Sequence, residues 1–176
     1  IMRRQGRGSF VCDLISGELV DRFAAIRGAD GGKVVATVGS VEIERAAATA
    51  EECNRLSLAA GDFVYRIGRL LVDGDVPFMV EKVAMPAALF PGLEEKSNVA
   101  ERISLLARQF GILPGRGTER IVAEPASGEV SKALGVGEGA LVVRLDRVIL
   151  ALDGRPIEWR RGWCNLAGKH YQAQVG

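Results

Sequence analysis

The sequence predicts an α+β fold, an antiparallel sheet with helices packed on one face, from three observations. Two pairs of apolar-rich runs each reverse at an Asp-Gly step, Asp73-Gly74 and Asp153-Gly154. Asp-Gly is among the strongest short signals for a two-residue hairpin, and strands joined that way run antiparallel. Stretches of helical periodicity alternate with these hairpins, and each must bury its apolar stripe against the sheet.

The elements follow in order. Residues 17–26 read as a helix, broken by Gly28-Ala29-Asp30-Gly31-Gly32, and residues 34–43 as a strand. Thr49 and Glu52 have the T-x-x-E spacing of a capping box, so a helix starts at Ala50 and runs to residue 58, stopped by Gly61. The first hairpin pairs 63–72 with 78–85, and the second pairs 141–152 with 157–164. Between them lie a turn-rich stretch over 86–93, a helix over 99–110, a strand over 120–124 and a short helix over 128–134. Gly115 and Gly117 read as part of a connection. A last strand covers 171–175.

Composition narrows the function classes. The 176 residues carry 23 Lys and Arg against 22 Asp and Glu, a formal charge of +1 with the single His neutral. That balance leaves little electrostatic footprint for nucleic acid, so a DNA-binding module in its own right has little support. A hydrophobic fraction of 48% with 26% charged residues belongs to a globular chain of one-domain length that can bury a core. No run approaches the ~18 apolar residues of a spanning helix, and the basic residues 1–7 are not followed by a secretory apolar stretch. Cys12, Cys53 and Cys164 have no C-x-x-C spacing, which points to a reducing cytoplasm. His170 has no second metal ligand beside it, G-x-S-x-G, G-x-x-x-x-G-K-[ST] and H-E-x-x-H are absent, and no metal or cofactor is expected.

The informative residues are charges on apolar faces. Period-two alternation puts Arg69 with Phe63, Tyr65, Ile67 and Leu71, and Glu81 with Met79, Val83 and Met85. Arg147 falls with Leu141, Val143, Leu145 and Ile149, while Glu158 shares a face with Arg160 and Cys164, opposite Ile157, Trp159 and Trp163. A lone buried charge is costly, so such residues persist when paired with one another or with a ligand. Two arrangements satisfy them: ion pairs Arg69 to Glu81 and Arg147 to Glu158 within each hairpin, or convergence of all four on a polar pocket. Tyr65, Trp159 and Trp163 read most simply as core or contact residues.

The string Tyr65-Arg66-Ile67-Gly68-Arg69-Leu70-Leu71-Val72-Asp73-Gly74-Asp75-Val76-Pro77, then Glu81, then Met85-Pro86-Ala87-Ala88-Leu89-Phe90-Pro91-Gly92-Leu93, resembles the UTRA (UbiC transcription regulator-associated) domain. Phe110-Gly111-Ile112, the Leu134-Gly135-Val136 turn and Asp153-Gly154-Arg155-Pro156-Ile157-Glu158 extend the likeness. Ahead of it, Gly6-Arg7-Gly8-Ser9-Phe10-Val11 looks like the final wing of a GntR-type winged helix. The resemblance implies a chorismate lyase-like fold, with residues 1–14 as a remnant of wing and linker and 15–176 as the effector-binding and dimerisation domain. It further implies a HutC-type bacterial regulator that reaches DNA through an N-terminal winged helix missing here.

In that family the strand arginine falls on Arg69, the following glutamate on Glu81 and the post-turn glutamate on Glu158, and Arg147 fits the strand before the second turn. Arg69, Glu81, Glu158, Arg147, Tyr65 and Glu101 are therefore the expected ligand-binding residues, with none catalytic. Leu71 stands where sugar-phosphate binders carry a second Arg, and Glu101 where they carry Ser. A carboxylate at that helix start repels an anion, although closing a capping box with Asn98 is the stronger reading of Glu101. Cys164 takes the place of an aromatic. The expected effector is a small nitrogen-containing carboxylate rather than a phosphate, with a chorismate lyase-like enzyme as the alternative.

Overall fold

Both Asp-Gly steps turn as expected, with Gly74 and Gly154 at φ 59° and 89°, values glycine reaches without strain. The computed structural model describes residues 2–3, 9–10, 26–96, 99 and 103–172. In it, β5 (Phe63–Asp73) returns as β6 (Val76–Pro86), and β8 (Leu141–Ala151) returns as β9 (Pro156–Cys164). The two returning strands pair from Met79↔Cys164 to Ala84↔Trp159, so the hairpins lie side by side. With β4 (Ala36–Ala47) and β7 (Pro114–Pro125) outside them, the antiparallel order is β4-β5-β6-β9-β8-β7. Two short pairs lie apart from this sheet: β1 (Met2–Arg3) with β2 (Ser9–Phe10), and β3 (Ile26–Gly28) with β10 (Lys169–Tyr171).

Strand β7 is longer than the expected 120–124. Its pairing with β8 breaks register between Pro114 and Gly117, and a Cβ on Gly115 would lie 3.2 Å from the Ala151 backbone. Both glycines thus lie inside the sheet rather than in a connection, and Gly115 marks a close backbone approach. The last strand, expected over 171–175, is instead Lys169–Tyr171 and ends where the expectation began, while residues 173–175 lie outside the described residues. The helix expected over 17–26 falls outside the described residues except for Ile26, which begins β3.

Helix α1 (Ala50–Leu56) starts at the expected box, with the Glu52 amide donating to Thr49 Oγ1 at 3.2 Å and the Thr49 amide donating to Glu52 Oε2 at 2.7 Å. It stops at Ser57, in the left-handed region at φ 55°, before the residue 58 expected. Helix α2 spans Ile103–Gln109 and α3 spans Gly128–Leu134, the latter capped by Ser127.

Helices cover both sheet faces, which corrects the expected one-sided cover while leaving the α+β class unchanged. On one face Leu56 of α1 packs with Val64, Ala84 and Trp159, and Val130 and Leu134 of α3 pack with Val142. On the other, Leu106 and Ala107 of α2 join Phe90 and Leu93 against Tyr65, Ile67, Val83 and Met85. Phe90 and Leu93 are fully buried, so the turn-rich segment carries its own apolar load onto the second face. Ile157 also belongs to this cluster, because the β8 to β9 register shifts beyond Ile149. Simple alternation had set it opposite Glu158.

Candidate functional site

Strand register builds the site on the face covered by α2. Pairing aligns Leu71, Met79, Cys164 and Val143 in one row across β5, β6, β9 and β8. The next row is Arg69, Glu81, Gly162 and Leu145, and the next is Ile67, Val83, Arg160 and Arg147, ending on Glu119 of β7. Glu158 follows opposite Ile149. The first row packs into an apolar cluster with Ile26 and Phe78, while Ile67, Val83 and Ile149 belong to the cluster under α2. A belt of six charges therefore lies across the sheet between two apolar clusters.

The belt is largely buried and tightly paired. Arg69, Glu81, Arg147 and Glu158 are all buried, with Glu158 only 1% exposed. Arg69 Nη2 lies 2.9 Å from Glu81 Oε2, as one of the two expected arrangements has it. Arg147 does not meet Glu158: its register partner on β9 is Arg160, and its Nε donates to Glu119 at 2.8 Å. Arg160 takes Glu158 instead, donating from Nε and Nη2 to the two carboxylate oxygens at 3.0 Å each, and from Nη1 to Glu81 Oε1 at 2.9 Å. Tyr171 donates its hydroxyl to Glu119 Oε2 at 2.5 Å. Among the described residues, three guanidinium groups thus face three carboxylates.

Electrostatics follow from that pairing. Burial works against the charge on Glu81, but Arg160 and Arg69 outweigh it and hold its carboxyl below the usual carboxylate range. Burial lowers the pKa of Arg69, as does repulsion from Arg160. Burial and the neighbouring Glu119 push the Tyr171 hydroxyl up to about 12. Cys164, raised chiefly by burial, is held as a neutral thiol in the adjoining row.

Not every expected site residue joins the belt. Tyr65 sits four residues before Arg69, roughly 13 Å away along a strand. It lines a separate cavity of about 440 Å³ with Arg45, Phe63, Pro91 and Glu94. Burial, followed by its hydrogen bond to Glu94, raises its pKa. Glu101 lies outside the described residues. Trp159 faces away from the belt and donates its indole N–H to Asp146 at 2.9 Å, where Arg55 and Arg144 also converge. Among the described residues no group of three or more His, Cys, Asp or Glu side chains could hold a metal ion.

Arg160, Glu119 and Tyr171 complete the belt without having been singled out by the sequence. Arg160 was visible as a neighbour of Glu158 on the same strand face, two residues apart. Glu119 lay one residue before the expected strand, and nothing local joins Tyr171 to it across 52 positions.

The fold defines a class first. Over 88% of its length the chain superimposes on the ligand-binding domain of a GntR-family transcriptional regulator from Bordetella bronchiseptica, with TM-score 0.81, 28% identity and 98% of that chain covered. The effector domain of PhnF from Mycobacterium smegmatis shares the fold at TM-score 0.72 and 21% identity, over 80% of this chain and 86% of that one. Residues 30–167 match the UTRA domain model, and the chain belongs to the UTRA domain family. It is 28% identical over 166 residues, 90% of its length, to the HTH-type transcriptional regulator Rv0792c of Mycobacterium tuberculosis, and spans 60% of that protein. It is 26% identical over 97% of its length to the HTH-type transcriptional regulator YurK of Bacillus subtilis, and spans 69% of it.

Proposed function

We propose that this chain is the effector-binding and dimerising domain of a HutC-type regulator of the GntR family, acting in the cytoplasm, and that the charge belt is its effector site. The observation that carries the reading is the belt itself. Replacing a buried ion pair with well-packed apolar residues is often neutral or stabilising by about 1–4 kcal/mol, so stability alone gives no reason to keep six charges in the middle of a sheet. Recognition of a polar small molecule does. Among the described residues no helix is long and apolar enough to cross a membrane. The regulator names of the relatives support a sensing role over a catalytic one.

The effector is a small nitrogen-containing carboxylate. Arg69 and Arg147 supply guanidinium donors to its carboxylate, and Glu81 and Glu158 accept from its N–H groups. Binding favours one arrangement of the homodimer and thereby resets the spacing of winged-helix domains on DNA. Isothermal titration with amino and imidazole carboxylates tests the site. Binding to the wild-type chain that is lost in Arg69→Ala and Glu81→Ala is the expected result, and unchanged affinity in both variants refutes the assignment.

A further inference from the structure

The arrangement around Glu81 and Glu158 carries a consequence for how an effector enters. Each of the four oxygens of these two carboxylates has a guanidinium nitrogen within hydrogen-bond distance. Arg160 alone serves three of them, both oxygens of Glu158 at 3.0 Å and Oε1 of Glu81 at 2.9 Å, and Arg69 serves the fourth at 2.9 Å. Side-on pairing of Nε and Nη2 with one carboxylate is the strongest geometry a guanidinium offers. The nitrogen-accepting end of the site is therefore already filled by a cation, and that cation belongs to the chain.

We propose that Arg160 stands in for the cationic group of the effector. Glu81 and Glu158 form a recognition position for a guanidinium, amidinium or imidazolium head, the Arg160 side chain occupies it in the absence of ligand, and effector binding displaces it. This inference rests on the reading of the belt as the effector site. Arg160 is a specificity-determining residue in this scheme. It sets a threshold that a head with one hydrogen-bonding prong does not pass, while a flat, two-pronged cation matches the geometry it replaces. The Arg160 side chain is 17% exposed, against 6% for Glu81 and 1% for Glu158, and is the least buried of the three. Its neighbour Arg161 points to the opposite face, stacked 4.3 Å over the Trp159 ring, and provides a control of the same charge.

The test is chemical rescue. Arg160→Ala removes the atoms that ethylguanidinium restores, and thermal unfolding is followed with and without millimolar ethylguanidinium, against sodium chloride at equal ionic strength. The expected result is a saturable rise in Tm of at least about 3 °C in Arg160→Ala, with no such rise in wild type or Arg161→Ala. If Arg160→Ala does not fold alone, recovery of its circular dichroism signal by ethylguanidinium is the equivalent result, and Arg160→Gln repeats the test with a polar side chain in place. Absence of rescue in both variants, or an equal rise in wild type, overturns the proposal. Guanidinoacetate separates this inference from the reading it rests on. Rescue by ethylguanidinium with no gain from the added carboxylate leaves Arg160 as the stand-in and refutes the carboxylate effector.

Discussion

Truncating Glu81 and then also its partner Arg69 separates a desolvated belt from a solvated surface pair. Glu81 is 5% exposed and Arg69 7%, and the carboxylate holds both Arg69 and Arg160 at 2.9 Å. Glu81→Leu keeps an apolar side chain in the row but removes the carboxylate that holds both Arg69 and Arg160. Removing one member of a buried pair costs about 3–5 kcal/mol. For a chain of this length about 1 kcal/mol corresponds to roughly 2–4 °C, so Tm should fall by roughly 6–20 °C. The double variant Arg69→Met/Glu81→Leu removes both charges of the pair while Arg160 keeps Glu158, and most of the loss should return, to within about 2 kcal/mol of wild type. Urea and thermal unfolding of the four proteins in the cycle measure this. A Glu81→Leu cost below about 1 kcal/mol would show a pair still in water, as surface ion pairs are, and a double variant worse than the sum of its parts would refute the pairing.

Acid should weaken the fold through Glu81 of the belt and through two paired carboxylates outside it. The folded-state pKa values of Glu81, Glu52 and Glu124 are held below their ordinary value of 4.5. Their stabilisation is complete above that value and is lost as pH falls through the lower folded values, so Tm should drop below about pH 4.5 and do so less steeply in Glu81→Gln. Thr49→Ala removes one half of the capping box on α1 and should cost about 1 kcal/mol in chemical denaturation. Gly115→Ala forces a Cβ against the Ala151 backbone at 3.2 Å and should cost about 1–3 kcal/mol, whereas Gly137→Ala, with nothing within 4 Å, should be nearly silent.

The hairpins were legible because Asp-Gly turns and period-two alternation are local signals, and the same alternation picked out Arg69, Glu81, Arg147 and Glu158 as charges on a buried face. Pairing was legible within the first hairpin, as Arg69 with Glu81, and not beyond it. Arg147 meets Glu119 rather than Glu158 because register between β8 and β9 sets Arg147 against Arg160, and register between hairpins is fixed by long-range packing. Ile157 changed sides through one register shift, which no face count reveals. The second covered face escaped for a similar reason: Phe90 and Leu93 read as part of a tight turn, yet each is fully buried and brings α2 down onto the sheet.

Whether the belt is the effector site is decided by a thermal-shift screen of the wild-type chain against three sets of metabolites: nitrogen-containing carboxylates, sugar phosphates and neutral sugars. A compound that binds only the folded state raises Tm by mass action. Hits should be confined to the carboxylates and lost in Arg69→Ala. Stabilisation by sugar phosphates that survives in Arg69→Ala would contradict that assignment, and would place the effector away from the belt.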